Sequence, residues 1–271
     1  MSVYISKVAS FDELRAIKGD YKAIPIDTSS KYYNEPTAGV YSYGIAGQSY
    51  YSRPNPATVN PVAGVPAEPR LRVSVLEKLA TINNALQSST YDRLFGGRVE
   101  LYIQEGVRLY AVQKLLYEET FPALVKKQYP NISDIDLKKR LTRLIAKPSV
   151  QPSSPAPHAT GGAFDMTIRY KQSECGYVED VDVLFKKVRT DTSLVNYPDY
   201  FETLKNPDET DVIIRENRRI LFAIMTGKLF GIETGFACNP TEWWHWSWGD
   251  QLWAQVTGSN NAVYSVVKEA I

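Results

Sequence analysis

Two proline-rich stretches limit what this chain can fold into. Residues 53–70 contain Pro54, Pro56, Pro61, Pro66 and Pro69, and residues 147–157 contain Pro148, Pro152, Pro155 and Pro157. Proline locks its own φ and removes a backbone donor, so neither stretch can be regular helix, and both read as extended connectors. The first stands where a domain boundary would, but the residues before it are too irregular to fold alone. With 271 residues the chain can bury a substantial core as one large domain. The expectation is a single domain over residues 1–271, with residues 1–70 as a Tyr- and Pro-rich N-terminal extension packed on the rest.

Periodicity places the regular elements around these connectors. In the extension, 21–26 reads as a short strand and 29–47 as a loop rich in tyrosine. Val75, Leu76, Leu79, Ile82 and Leu86 fall at helical spacing over 73–86. Val99, Leu101 and Ile103 alternate with Glu100, Tyr102 and Gln104, which predicts a half-buried strand ending at Gly106, with Arg108 at its exit. A second helix is expected over 110–128, kinked or restarted at Pro122, and a third from the N-cap Ser133 to Ala146, with Asp134 and Asp136 in its first turn. After the second connector, 163–170 alternates with Phe164, Met166 and Ile168 on one face and Ala163, Asp165 and Thr167 on the other. A helix over 211–229 follows, then two strands over 230–236 and 242–248 joined by Ala237, Cys238, Asn239 and Pro240. The irregular order of helices and strands, without repeats, argues an α+β fold rather than alternating βαβ units.

Composition excludes some partners. The net charge of +1 offers no global field for nucleic acid or an anionic membrane. No apolar run is long enough to span a bilayer, and the first residues mix apolar side chains with Lys7, Asp12, Glu13 and Arg15 rather than forming a leader. The expected location is the cytoplasm, or the periplasm if a leader has been removed. Cys175 and Cys238 are read as free buried thiols, because a domain of this size needs no disulfide.

Histidine is scarce: His158 and His245 are the only two. A hydrolytic zinc site takes three protein ligands from His, Asp, Glu or Cys and keeps a position for water. Here it would need both histidines plus one acid or thiolate. Asp165 is the obvious third ligand, and Gly161 and Gly162 let the backbone turn so that His158 and Asp165 aim at one point. Glu242, three residues before His245, would serve as general base. Other readings stay open on the residues alone. A lone histidine is usually a satisfied core or surface residue. Either His could instead serve a Ser-His-Asp arrangement, or a thiol enzyme with Cys175 or Cys238. No Gly-x-Ser-x-Gly elbow and no phosphate-binding loop are present. Gly161-Gly162 precedes a strand, not a helix, which excludes a dinucleotide fingerprint. Four of the five tryptophans lie in 241–248, a cluster that more often forms core or an interface than a substrate platform.

Two stretches resemble the signatures of the zinc D-alanyl-D-alanine dipeptidases of the VanX type, within the wider D,D-peptidase and hedgehog-like group. The family pattern Ser-x-His-x-x-Gly-x-Ala-x-Asp is matched from His158 to Asp165, with Ala156 at its first position, and Glu-x-Trp-His is matched by Glu242-Trp243-Trp244-His245, preceded by Gly235-Phe236. The helix around Glu216-Asn217-Arg218-Arg219 is similar to the family's, and Gln104-Glu105-Gly106-Val107-Arg108 looks like its Asp-Gly-Tyr-Arg turn. The likeness runs in patches from about residue 72 to 250.

The resemblance implies a mixed, mainly antiparallel sheet flanked by helices with the zinc cleft at the sheet. It implies one zinc per chain held by His158, Asp165 and His245, Glu242 as catalytic base, and Arg108 stabilising the oxyanion. The implied activity is hydrolysis of a small D,D-dipeptide such as D-alanyl-D-alanine. A D,D-carboxypeptidase acting on peptidoglycan stems is the alternative, and a non-catalytic zinc-stabilised binding protein a further one. The sequence departs from the family in two places. Ala156 stands where the family has the Ser that helps hold the substrate carboxylate, unless Ser153 or Ser154 substitutes. The acid that binds the substrate amine has no clear counterpart; Glu179, Asp180, Asp182 or an acid further along are the candidates. Without the resemblance, Arg108 reads as half of a surface salt bridge.

Overall fold

A computed structural model of the chain describes residues 11, 14, 17–55, 58, 60–95, 97–173, 176–177, 197–227 and 234–271. The described strands are β1 (Thr37–Gly39), β2 (Ala46–Gly47), β3 (Arg70–Arg72), β4 (Val99–Glu105), β5 (Ala163–Ser173), β6 (Gly176–Tyr177), β7 (Ala237–Asn239) and β8 (Glu242–Ser247). The described helices are α1 (Val73–Leu86), α2 (Ser89–Phe95), α3 (Tyr110–Leu115), α4 (Phe121–Gln128), α5 (Asp134–Leu144), α6 (Glu209–Met225) and α7 (Gln251–Thr257). The main sheet has the order β2-β4-β5-β8-β7, with β6 folding back on β5. Only β2 and β4 run parallel in it, and β1 pairs with β3 as a separate antiparallel ribbon. This is the expected α+β fold with a mixed, mainly antiparallel sheet.

The core lies on one face of that sheet. Leu101, Ile103, Phe164, Met166 and Ile168 point there, and Val75, Leu76, Leu79 and Ile82 of α1 join Ile220, Leu221, Ile224 and Met225 of α6 in the same buried cluster. The periodicity of 73–86 and the alternation of 163–170 anticipate these two elements and their inward faces. At about 25 cal/mol per Å² of apolar surface, each such fully buried side chain contributes about 1.5–3 kcal/mol. The α6 helix starts at the capping box of Asp208 and Asp211 and stops at Thr226, followed by Gly227 with φ +77°.

The opposite face of the sheet carries the polar residues, and two irregularities decide which ones. Ile103 pairs with Met166, but Glu105 pairs with Asp165, so β4 advances two residues while β5 advances one. That bulge turns Glu105 away from the core face of Val99, Leu101 and Ile103 and onto the face of Asp165. Between β7 and β8 the shift is larger: Cys238 faces Trp246, yet Asn239 faces Glu242. The strand thus accommodates extra residues between Glu242 and Trp246. Strict alternation would place Glu242 and His245 on opposite faces, so a bulge or a position at the loop edge is expected, and β8 has both.

Several expected elements differ. Residues 21–26 are not a strand: Tyr21–Ala23 forms a 3-10 turn capped by Asp20, and Ile26 makes only an isolated bridge to Ala262. The predicted loop 29–47 contains β1 and β2, whose two or three residues are too few to show alternation. Gly47 makes β2 possible, since a Cβ there would lie 2.5 Å from the Ile103 carbonyl oxygen. The long helix over 110–128 is α3 and α4 joined through a π-turn, Leu116–Thr120, just before Pro122. α5 ends at Leu144, because Ile145 turns extended. The strand expected over 230–236 falls largely outside the described residues, and 234–236 is not strand. The pairing partner of β8 is instead β7, and Pro240, with no N–H to give, follows its last residue. Cys238 is a free, buried thiol as expected, while Cys175, Glu179, Asp180 and Asp182 lie outside the described residues. No helix among the described residues is long and apolar enough to cross a membrane.

Candidate metal centre and cleft

Glu105, Asp165 and His245 form a row across β4, β5 and β8, since Asp165 is the direct partner of both neighbours. His158 reaches the same place from the 3-10 turn Pro157–Thr160, just before β5. The chain leaves that turn through Gly161 at φ +71°, a conformation that favours glycine. At Gly162 an added Cβ would lie 2.5 Å from the Trp248 carbonyl oxygen, so the loop and the end of β8 are in close backbone approach. The Gly-Gly pair therefore performs the turn anticipated from sequence, and its second member also permits packing.

The imidazole of His158 is oriented by its surroundings. Nδ1 lies 2.9 Å from the Gly106 carbonyl oxygen. A carbonyl can only accept, so Nδ1 carries the proton and Nε2 keeps a lone pair. Nε2 is 3.6 Å from Asp165 Oδ1, and Nδ1 of His245 is 3.1 Å from the same oxygen. Despite this closeness, Oδ1 is buried without a hydrogen-bond partner. The three side chains offer ligand atoms that all lie within 4.8 Å of one another. Two metal bonds of about 2 Å span about 4 Å, so the widest spacing in the set exceeds that limit by under about 1 Å. Two imidazole nitrogens, one with its lone pair enforced, and an unpartnered buried carboxylate oxygen are the donor set of a zinc site. The residue types fit the ion, and the widest spacing in the set must close by up to about 1 Å to hold it. His245 differs in that its far nitrogen, Nε2, is buried without a partner.

Electrostatics separate the roles of the two carboxylates. Burial raises the pKa of Asp165, but His158 and His245 outweigh it and hold the group below the usual carboxylate range. Burial pushes Glu242 up to about 7; His245 and Arg108 oppose the shift and Asp165 adds to it. Burial, and then Arg108, lower His158 to about 4, which keeps its ring neutral near pH 7. Burial also disfavours the charged form of His245, but Asp165 and Glu242 outweigh it and its pKa is raised. Glu242 Oε2 stands 3.7 Å from His245 Nδ1. It accepts a hydrogen bond from Asn239 Nδ2 at 3.0 Å.

Arg108 is not at the surface. It is buried, and its backbone N–H donates to the His158 carbonyl at 3.2 Å. Its Nη2 lies 3.5 Å from Asp165 Oδ2, its Nη1 donates to Gln113 Oε1 at 2.9 Å, and its guanidinium sits 5.2 Å from the centre of the Tyr51 ring. Gln113 in turn donates to the Ala146 carbonyl at 2.6 Å. Nε of Arg108 is buried with no hydrogen-bond partner.

These groups open into a cleft of about 390 Å³. One wall is made by Phe121, Thr142, Leu144 and Ile145, and another by Ile17, Gly19, Tyr21 and Leu252. Ala156 lines the cleft, but Ser153 and Ser154 do not. Among the described residues the only acids lining it are Asp165 and Glu242. The tryptophans divide. Trp243 and Trp246 are core, Trp248 packs on Tyr32 and Tyr264, and only Trp244 faces the cleft.

All five residues singled out from sequence, His158, Asp165, His245, Glu242 and Arg108, line this one cleft. Sequence reasoning missed Tyr51, Gln113 and Asn239. Each is an ordinary residue type, Tyr51 in a 3-10 turn, Gln113 on α3 and Asn239 at the end of β7, and only the fold brings them to the site. No protein-family profile matches the chain. It is similar to a protein of Synechocystis sp. named D-alanyl-D-alanine dipeptidase, at 28% identity over 166 residues. The match covers 57% of this chain and 62% of that protein, so the chain spans less than two thirds of the relative's length.

Proposed function

We propose that the chain is a zinc-dependent peptidase that hydrolyses D-alanyl-D-alanine or a similar D,D-dipeptide. The reading rests above all on one observation: a carboxylate with a pKa raised to about 7, Glu242, stands 3.7 Å from a member of the His158, Asp165 and His245 triplet. A structural metal site needs no such base beside it, which counts against a purely binding role. The similarity to a protein named D-alanyl-D-alanine dipeptidase supports the substrate class. Ile17, Gly19, Tyr21 and Tyr51 contribute to the cleft walls, which supports reading residues 1–70 as part of one catalytic unit.

His158, Asp165 and His245 would hold one zinc ion. When bound, zinc polarises the scissile carbonyl and acidifies water, whose pKa it lowers toward about 7. The chain's residues do the rest. Glu242 accepts the proton of the attacking water as the C–O bond forms. It returns that proton to the amine nitrogen as the C–N bond breaks, and a base with a pKa near the working pH serves both transfers. Arg108, fixed by Gln113 and Tyr51, presents donors to the carbonyl oxygen as it gains charge. Because this guanidinium is already buried and held, little reorganisation accompanies the reaction.

The cleft volume keeps one second reading in play. A space of about 390 Å³ lies within the range of pockets that bury larger ligands, about 300–1,000 Å³. This suits a D,D-carboxypeptidase with a longer acyl side. Comparing hydrolysis of D-alanyl-D-alanine with its N-acetylated form tests the proposal. Preference for the free dipeptide supports a dipeptidase, preference for the blocked form supports the carboxypeptidase, and no hydrolysis of either by zinc-loaded protein refutes both.

A further inference from the structure

Asn239 occupies the last position of β7, where its side chain is committed in both directions. Its Oδ1 accepts from the backbone N–H of Thr241 at 3.0 Å and from the Thr241 hydroxyl at 3.0 Å. A backbone N–H can only donate, so this contact fixes which end of the carboxamide is oxygen. The amide nitrogen is thereby turned toward Glu242, and Nδ2 donates to Oε2 at 3.0 Å. The wide bulge in β8 makes Asn239 the register partner of Glu242, so backbone pairing and the side-chain bond hold the same two residues together. Pro240 stiffens the link between them. Oε2 is also the oxygen nearest His245, whereas Oε1 has no hydrogen bond among the described residues.

We propose that Asn239 is the positioning residue of Glu242: its carboxamide clamps Oε2 and leaves Oε1 as the oxygen that takes up and returns the proton. This rests on the reading of Glu242 as general base. The carboxylate is one-fifth exposed and its side chain has several rotatable bonds. Without the clamp, it samples positions from which neither oxygen reaches the reacting water. A hydrogen bond to a charged acceptor fixes both place and orientation, and outer partners of this kind are typically worth about 10–100-fold in activity.

The test uses the zinc-loaded 271-residue chain and D-alanyl-D-alanine. Asn239→Asp keeps the acceptor for Thr241 and replaces the donor facing Glu242 with an oxygen. It is expected to lower kcat by about 10–100-fold with KM and zinc content little changed. In a Glu242→Gln background the same substitution is expected to leave the residual rate nearly unaltered, because no base remains to be held. Wild-type kcat in Asn239→Asp, loss of its zinc, or an equal fall in the Glu242→Gln background overturns the proposal. Wild-type turnover in Glu242→Gln alone is a different result: it removes the base assignment itself, and the clamp with it. A crystal structure of Asn239→Ala gives a readout independent of turnover. The Glu242 carboxylate is expected to leave its position or occupy several, and a single unmoved carboxylate counts against the clamp.

Discussion

Asp165 and His245 are direct cross-strand partners on β5 and β8, and Oδ1 of one lies 3.1 Å from Nδ1 of the other. Pairing in the sheet therefore brings together two of the three residues proposed to hold the metal. In the metal-free chain the two form a close pair in which each favours the charge of the other, and Oδ1 has no hydrogen-bond partner. His245→Ala and Asp165→Asn are expected to lose zinc as well as turnover. Removing a ligand should weaken zinc binding by more than the about 10–100-fold typical of an outer partner. Metal analysis after dialysis checks this, and one zinc per chain retained in both variants would rule out the assigned ligand set.

Glu242 should separate chemistry from metal binding. Glu242→Ala is expected to keep its zinc while kcat falls by about 10²–10⁴-fold, the usual worth of general base catalysis. The wild-type rate should also carry an acid limb. The base must be deprotonated to act, so kcat/KM rises with pH until Glu242 has lost its proton. Its pKa is pushed up to about 7 in the metal-free chain, and a bound cation pulls it down. The limb is therefore expected at or below about pH 7, and a pH–rate profile that falls as pH rises through that range would argue against Glu242 as base.

Arg108 combines two jobs that substitution can pull apart. It stands among Glu105, Asp165 and Glu242, all of which favour its charge. Arg108→Met would take a counter-charge away from the buried, ionised Asp165, a change that typically costs about 3–5 kcal/mol of stability. Arg108→Lys keeps the charge but loses the planar fork that engages Gln113 and stacks over Tyr51. Arg108→Lys is expected to fold with a melting temperature close to wild type and to lose about 10²–10³ in kcat, as removal of an oxyanion donor does. Near-wild-type turnover would remove Arg108 from the chemistry.

Legibility in the sequence followed pattern length and chemical rarity. The helix over 73–86 and the strand around Asp165 repeat their periods long enough to read. With only two histidines, His158 and His245 had few places to be, and the surrounding motifs paired them with Asp165 and Glu242. The strands β1, β2 and β7 have three residues or fewer and leave no period. The bulges that put Glu105 and Glu242 on the site face are register events between strands, and register has no local signature. Arg108 read without the resemblance as a surface ion pair because burial depends on how α3 and the Tyr51 turn close over it. Tyr51, Gln113 and Asn239 are common residue types whose partners lie on other elements or across a bulged turn.

Gly162 gives a stricter test of the His158 loop. A Cβ there would meet the Trp248 carbonyl oxygen at 2.5 Å and the Tyr264 ring at 2.7 Å. The first obstacle is backbone, so the loop must shift to relieve it. Gly162→Ala is expected to lower the melting temperature and weaken zinc binding together, because the loop carries His158 on one side and Asp165 on the other. Unchanged zinc affinity, measured by competition with a chelator, would show that the loop adjusts without moving its ligands.

Glu105 offers a prediction about stability in the metal-free protein. It is buried, its Oε2 has no hydrogen-bond partner, and burial pushes its pKa from 4.5 up to about 8 against the pull of Arg108. The sign follows from linkage. Between pH 4.5 and about 8 the folded chain holds a proton on Glu105 that the unfolded chain has released. The stability conferred by the neutral carboxyl is complete below about pH 4.5 and is lost as pH rises toward 8. Glu105→Gln copies the neutral form at every pH. The melting temperature of this variant, relative to wild type and with chelator present, should therefore rise steadily between those limits. For a chain of this size each 1 kcal/mol corresponds to about 2–4 °C. A gap that stays constant from pH 5 to pH 8.5 would mean that Arg108 keeps Glu105 ionised throughout, and that the row of Glu105, Asp165 and His245 carries one more negative charge than its burial suggests.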